Sequence, residues 1–505
     1  MIKKILERLF HVRRVPWAER YFILLLISGA IIAMLISLGI GLSQSVWFDE
    51  AYSIMVAKQP LSQLLHLAAV DTHPPLYYIT LKAWAGAFGW GEFALRSLSA
   101  LALGGSLIFG GLLVKRLFGV RAALVALPFI VLAPFLLRYG FEIRMYALAS
   151  FIGISATYVL VAAVEAHTST KRWVLYGIYA VLVALGVYTL YYTALLWAAH
   201  LLWLIYVTVK QRKSLFKAPW LLAYVGSVIL FLPWLPDFFR QVNNGALAPI
   251  SQAMTLENLL GIVSFNFMYQ PVWDLSALQS LLVLFVLGAG IFITVKALKV
   301  ATKEERSKLL LLALYVLVPI ALLTLVSLFR PMYVERYLAH IALGGMLFIG
   351  VAIALATKKS TTLLQSIAAL LIVVLFVGVA HLVQVGNYNF QRLQKPDIAE
   401  AAKNLASCQD GSTILAADPY VAIELSYYVK DCDIYFYSED AELSGGYAPL
   451  SDSPLRISDP VLQLASEKSV FYVHYDQPKL DLPTSLQKSS EESYGALTVA
   501  QFTAE

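Results

Sequence analysis

Apolar runs of about 20 residues dominate the first three quarters of the chain, and a helix needs roughly that length to cross the hydrocarbon of a bilayer. Such runs occupy Tyr21–Leu42, Phe93–Val114, Ala122–Leu137, Ile143–Val164, Trp173–Thr189 and Tyr191–Val209. They continue at Ala218–Pro236, Leu275–Ile293, Leu309–Phe329, Tyr337–Ala356 and Leu363–Gln384, about eleven spans in all. The charge-free stretch Trp173–Val209 is read as two spans because it is twice the length of one. Leu76–Phe88 is too short to cross and is interrupted by Lys82 and Gly86, so it is expected to form a helix in or near the outer interface.

From about Asn387 the pattern changes. Alternating segments at Ser412–Asp418, Asp433–Tyr437 and Val470–Tyr475 read as strands. Helical stretches at Ile398–Ala406, Val421–Val429 and Val461–Glu467 lie among them. Strands alternating with helices predict a small α/β domain. The expected architecture is therefore an all-α polytopic membrane bundle, residues 1–386, followed by a small extracytoplasmic α/β domain, residues 387–505. The only two cysteines, Cys408 and Cys432, both fall in the second part. They admit either a disulfide, which an oxidising exterior would permit, or two separate buried thiols.

Composition agrees with lipid as the solvent. Hydrophobic residues make up 59% of the 505 and charged residues 14%, with a mean hydropathy of +0.71. Disordered, collagen-like, coiled-coil and disulfide-dense chains are excluded, as is an ordinary soluble enzyme. The basic excess gains meaning once it is mapped. The N-terminal arm and the loops at 115–121, 171–172, 210–217, 296–308 and 358–359 hold 22 of the 38 Lys and Arg residues. Placing them all in the cytoplasm obeys the positive-inside rule and leaves the C-terminus outside the cell or inner membrane. The charge is topological and does not point to nucleic acid. The first apolar run is long and lacks a small-residue cleavage site, so it is read as a retained span.

With that topology the outer loops can be read for chemistry. The first, residues 43–93, opens on Trp47-Phe48-Asp49-Glu50 and continues to Asp71-Thr72-His73-Pro74-Pro75-Leu76-Tyr77-Tyr78. It ends at Ala94-Leu95-Arg96. Later outer turns carry Arg138, Glu142, Arg144 and Tyr146, and then Arg330, Tyr333, Glu335, Arg336 and Tyr337. Carboxylates beside several arginines at one membrane face suit a reaction on a lipid phosphate. A carboxylate can serve as base toward an acceptor hydroxyl. Guanidinium groups can hold phosphate bidentately and stabilise its charge as it leaves. Two other classes compete: a lipid-linked sugar transporter or flippase, and a non-catalytic cell-envelope assembly protein. A transporter predicts broken or charged mid-span positions, for which His200, Pro128, Pro134 and Pro233 are the only signals. An assembly protein leaves Asp49 and Arg96 unexplained.

At these residues the chain resembles the membrane glycosyltransferases of the GT-C class that use polyprenyl-phosphate sugars, the class that includes protein O-mannosyltransferases and lipid A aminoarabinose transferases. The resemblance rests on Asp49-Glu50 after the first span, the His73-Pro74-Pro75 run, Ala94-Leu95-Arg96-Ser97, Glu142-x-Arg144-x-Tyr146 and Arg330-Pro-x-Tyr333-x-x-Arg336-Tyr337. It covers roughly the first 385 residues. It implies an inverting transfer on the extracytoplasmic face, from a polyprenyl-phosphate-linked donor to a lipid, glycan or protein acceptor. By that resemblance Asp49 is the catalytic base, and Glu50 orients the acceptor or assists a metal. His73 contacts donor phosphate or metal, and Arg96 is the foremost phosphate contact. Arg144 and Arg336 follow, with Tyr146, Tyr333 and Tyr337 as hydrogen-bond donors or packing. No cofactor is required, and a divalent metal near His73 is left open.

Two departures separate the chain from the characterised relatives. The stretch Met145–Ser150 lacks the acidic residue they carry, and Leu190 stands where many relatives have a histidine. The loop Asp237–Asp274, with Asn243-Asn244-Gly245 and Gln270-Pro271, is read either as a mobile lid or acceptor-binding segment or as a plain connection. The stretch from Tyr52 to Ala69 is read as a roof over the headgroup site.

Overall fold

The computed structural model describes residues 16–243, 252–359, 362–385, 397–405, 412–475 and 480–504. Its first helices are α1 (Pro16–Leu42), α2 (Phe48–Lys58), α3 (Leu61–Val70), α4 (Leu76–Phe88), α5 (Glu92–Phe118), α6 (Val120–Val131) and α7 (Pro134–Tyr139). Next come α8 (Tyr146–Val164), α9 (Ser169–Thr189), α10 (Thr193–Lys210), α11 (Trp220–Phe231), α12 (Leu235–Asn243) and α13 (Leu256–Met268). The bundle ends with α14 (Ala277–Val300), α15 (Lys303–Ser327), α16 (Ala339–Ala356) and α17 (Thr362–Gln384). The tail adds α18 (Ile398–Leu405), α19 (Pro419–Leu425) and α20 (Pro460–Gln463).

Among the described residues, ten helices are long and apolar enough to cross a membrane: α1, α5, α8, α9, α10, the α11–α12 run, α14, α15, α16 with its preceding turn, and α17. The chain is a multi-pass membrane protein. The predicted span Ala122–Leu137 is a correction to the count. It is two short helices, α6 and α7, broken at Leu132–Ala133. Pro134 opens α7 at a position where its missing N–H costs nothing, and it forces Ala133 into an extended conformation (φ −71°, ψ 109°). The broken pair still runs alongside α1. Gly29 faces Leu127 and Val131, and the Ser37 hydroxyl donates to the Leu137 carbonyl at 2.7 Å.

Contacts divide the chain into two compact units. The bundle unit comprises α1 to Ile40, Arg96–Phe239 and Leu247–Gln384. In it α16 is central, with 83% of its apolar window buried against 17% for the peripheral α11–α12 run. The bundle has two chemically distinct ends. At one, Arg116 pairs with Glu165 at 2.8 Å, Arg121 donates to the Thr357 hydroxyl at 3.1 Å, and Lys358 pairs with Glu305. These are the loops predicted to be basic and cytoplasmic. At the other end lie Ser99, Arg138, Glu142 and Tyr192.

The predicted loop Asp237–Asp274 is largely structured. Helix α13 packs into the bundle so closely that a Cβ on Gly378 of α17 would stand 2.0 Å from the Phe267 carbonyl oxygen and 2.8 Å from Pro134. Residues 244–251, with the Asn244-Gly245 pair, lie outside the described residues. Because backbone and a proline ring cannot move aside, Gly378→Ala is expected to destabilise the protein by about 3 kcal/mol. Gly288→Ala, which meets open space, should stay within about 0.5 kcal/mol of wild type. Thermal denaturation in detergent checks both.

The second unit comprises Gly41–Leu95, Arg240–Ala246 and the tail from Val385. The first outer loop is mostly helical: α2 and α3 fill the stretch read as a roof, and α4 has the predicted limits. Six strands form one sheet: β1 (Thr413–Ala416), β2 (Ile434–Tyr437), β3 (Arg456–Ile457), β4 (Ser469–Tyr475), β5 (Leu486–Tyr494) and β6 (Leu497–Ala504). Their order is β3-β2-β1-β4-β6-β5, parallel from β3 to β4 and antiparallel beyond. Ile414, Ala416, Phe471 and Val473 pack on one face with α18 and α19, while Leu415, Val470 and Tyr472 pack on the other. Cys432 is disulfide-bonded, and Cys408 lies outside the described residues.

Candidate active site

Helix α2 begins at Phe48, which makes Asp49 its second residue. The first N–H groups of a helix have no partner within it, and here two of them around Asp49 are met by other carboxylates. Glu50 accepts from the Trp47 N–H at 3.4 Å, and Glu424 of α19 accepts from the Phe48 N–H at 3.1 Å. The positive end of the helix dipole favours this gathering of acids. Asp49 itself is half-buried, its backbone carbonyl accepting from the Ser53 hydroxyl at 2.8 Å, while Glu50 is fully buried.

His73 sits in the turn between α3 and α4. Its Nδ1 lies 2.7 Å from the Thr72 hydroxyl and 3.4 Å from Asp71, and Asp71 accepts from the Tyr78 phenol at 3.0 Å. Asp71 and His73 are both buried. A carboxylate that fixes an imidazole in this way sets its orientation and tautomer. Asp71 and Tyr78 thus hold His73; both stood in the quoted motif, but nothing in the spacing marked them as its partners. Among the described residues, no three His, Cys, Asp or Glu side chains gather to hold a metal.

The bundle unit carries the arginines. Arg96, near the start of α5, is completely buried, with its guanidinium 5.4 Å from the centre of the Phe141 ring. Arg138 approaches the same ring at 4.9 Å and pairs with Glu142 at 3.3 Å. Ser99 donates to the Glu142 carbonyl at 2.5 Å and so ties α5 to this turn. Arg144 is buried, and Tyr337 lies within electrostatic reach of both Arg144 and Arg336. Glu335 lies 3.9 Å from Arg336. Four guanidiniums and two carboxylates, Glu142 and Glu335, therefore share this end of the bundle.

Aromatic rings frame these charges. Tyr139 meets Tyr146 at 5.3 Å and Tyr269 at 6.5 Å, while Tyr337 meets Tyr146 at 6.1 Å and Tyr192 at 4.9 Å. The Tyr192 phenol donates to the Met332 carbonyl. Tyr333 pairs with Gln252 through two backbone hydrogen bonds of 2.9 Å. Burial pushes the Tyr269 phenol up to about 12, so it remains a neutral donor at ordinary pH. Tyr269 follows α13 in a left-handed conformation (φ 52°), and no motif marks its place here. Beside the cluster an apolar cavity of about 50 Å³ is lined by Phe135, Ile262, Phe265, Tyr333 and Glu335.

The mid-span histidine is held by hydrogen bonds inside the bundle. Within the bundle the two ring nitrogens of His200 lie 2.9 Å from the Thr157 hydroxyl and 3.1 Å from the Tyr179 phenol. That is the satisfied state of a buried polar side chain.

Residues 72–236 match the family model described as dolichyl-phosphate-mannose-protein mannosyltransferase. No curated protein matches the chain significantly. The crystal structure of ArnT from Cupriavidus metallidurans bound to undecaprenyl phosphate superposes with a TM-score of 0.63 at 12% identity, over 95% of this chain and 98% of that one. The same protein in the apo state gives 0.60 at 13% identity, over 96% and 98%. The fold is that of ArnT across nearly its whole length. The chain thus shares the fold of a GT-C membrane glycosyltransferase, and over residues 72–236 its sequence is similar to the mannosyltransferase family.

Proposed function

We propose that this protein transfers a sugar from a polyprenyl-phosphate donor to an acceptor hydroxyl at the extracytoplasmic face, with Asp49 as general base. The reading is carried by the buried end of the bundle, where four guanidiniums share the space with two carboxylates. Guanidinium groups hold phosphate bidentately through charge-assisted hydrogen bonds, and a lipid phosphate fits that chemistry. That ArnT has been seen with undecaprenyl phosphate supports the choice of donor. The apolar cavity beside Tyr333 and Glu335 suits the first units of a prenyl chain. The basic loops support a cytoplasmic position for the opposite end of the bundle. For that, the α6–α7 pair must count as an eleventh crossing.

In the proposed step Asp49 takes the proton of the acceptor hydroxyl as its oxygen bonds to the anomeric carbon. The bond from that carbon to the phosphate oxygen breaks, and its electron pair leaves with polyprenyl phosphate. Arg96, Arg144 and Arg336 stabilise the charge that grows on the phosphate, with Tyr146, Tyr333 and Tyr337 beside them. The configuration at the sugar inverts. Glu50 keeps α2 capped, and Asp71 fixes the orientation of His73.

The test is transfer by purified protein from a panel of undecaprenyl-phosphate hexoses and pentoses to alcohol, glycan and peptide acceptors. Arg96→Ala should lower turnover on the active donor by about 10²-fold, the scale of losing one donor to a developing anion. Proteoliposomes separate the competing class: lipid-linked sugar that crosses leaflets unconsumed would favour a flippase.

A further inference from the structure

In open α/β sheets the crevice beyond the C-terminal ends of the strands, at the point where strand order reverses, is the usual place for a ligand. In the tail domain that point lies between β1, whose neighbours β2 and β3 extend to one side, and β4 on the other. The residues just beyond those ends are Asp418, Pro419 and Tyr420 after β1, and Tyr475 at the end of β4. The crevice holds a piece of the chain itself. The Phe48 ring stacks on Tyr420 with centroids 4.3 Å apart and planes within 3°, and it meets Tyr447 edge-on at 5.6 Å. The chain passes Gly446 so closely that a Cβ there would stand 3.3 Å from the Phe48 ring.

Hydrogen bonds fix the backbone as well as the ring. The buried Glu424 carboxylate accepts from the Phe48 N–H with one oxygen and from the Tyr475 phenol with the other. One step outward, the Tyr428 phenol accepts from the Val46 N–H at 2.7 Å and donates to Glu92 at 2.7 Å. Both backbone groups flank the start of α2, and Phe48 directly precedes Asp49. The ligand position of this domain is thus taken by the residue next to the proposed base.

We infer that the tail domain is a clamp for the first outer loop, with Glu424, Tyr475 and Tyr428 as positioning residues that aim Asp49. The inference rests on the reading of Asp49 as base. Its physical content is orientation: a misplacement of about 1 Å in a reacting group can cost about 10²-fold in rate. Removing the Glu424 carboxylate leaves the Phe48 N–H and the Tyr475 hydroxyl without their acceptor and frees the first turn of α2. Substrate binding by the bundle arginines is untouched, so the loss should appear in kcat and not in KM.

The experiment uses full-length protein in detergent, comparing wild type, Glu424→Ala, Glu424→Gln, Tyr475→Phe and Asp49→Asn. Hydrogen exchange is read on the peptide spanning residues 46–53 and on β4, and kinetics on the most active donor of the panel. In Glu424→Ala, exchange over 46–53 should quicken about 10-fold while β4 stays protected. Its kcat should fall by roughly 10- to 100-fold with donor KM within about 2-fold of wild type. Glu424→Gln, whose amide oxygen still accepts from the Phe48 N–H, should recover to within about 3-fold, and Tyr475→Phe should fall between the two. If β4 loses protection in Glu424→Ala, the milder Tyr475→Phe decides by the same measures. Unchanged exchange over 46–53 overturns the clamp whatever the turnover, and loosened exchange with unchanged kcat overturns the positioning role. Full turnover in Asp49→Asn overturns the base assignment alone and leaves the clamp to be judged on exchange.

Discussion

Replacing Asp49 by Asn is expected to lower turnover by about 10³-fold, the middle of the range for loss of a general base. Asn has nearly the same shape but cannot take a proton at neutral pH, so donor KM should change little. Asp49 is the second residue of α2 and also complements the helix dipole, a role worth about 0.3–1 kcal/mol to stability. The two roles separate cleanly. A protein that melts within a few degrees of wild type yet turns over a thousandth as fast has lost chemistry. Asp49→Glu should retain a small fraction of the activity, because its carboxylate sits one methylene further along. Turnover within about 3-fold of wild type in Asp49→Asn would mean that the proton goes elsewhere.

The second large effect falls on stability. Glu142 and Arg138 form an ion pair at 3.3 Å with side chains only 1% and 3% exposed. Glu142→Ala is expected to destabilise the protein by about 3–5 kcal/mol, because it leaves a desolvated guanidinium without its counter-charge. Arg138→Met combined with Glu142→Leu should recover most of that loss, since neither charge then needs burial. Chemical denaturation of the three variants in detergent checks this. A single-variant cost below about 1 kcal/mol would be the behaviour of a solvated surface pair. It would contradict the picture of a dry, charge-dense bundle end on which the proposed phosphate contacts depend.

Much of the fold could be read in advance where the signal is local. Among the described residues, length and apolarity located the ten spans, and Leu76–Phe88 has the predicted limits. The Ala122–Leu137 run failed as one helix because its break depends on Pro134, a residue whose effect in a span ranges from a kink to a full stop. Helix α13 escaped because Leu256–Met268 is too short to span and its burial comes from packing against α17. Strand β5, LQKSSEESY, is nearly all polar and exposed along its length, so it carries no alternation to detect. Its partner β6 was missed with it.

For the site, the difference lies between residue type and residue partner. Asp49, His73, Arg96, Arg144 and Arg336 were singled out through motifs, because each motif is contiguous. Asp71 stood in plain view, but its bond to His73 depends on how one turn folds. Tyr269 reaches Tyr139 from a helix the sequence did not announce. Glu424 lies 376 residues from Phe48, and no local pattern could join a tail-domain helix to the first turn of an outer loop.

The most direct measurement is a cryo-EM structure of the full-length protein in nanodiscs with a non-transferable undecaprenyl-phosphate sugar bound. The account predicts the Asp49 carboxylate on the acceptor side of the anomeric carbon, with room for one hydroxyl at about 3 Å. It also predicts the donor phosphate against Arg96 and Arg144. A donor phosphate held elsewhere, or an Asp49 carboxylate more than about 12 Å from the anomeric carbon and so far beyond hydrogen-bond reach, would contradict it.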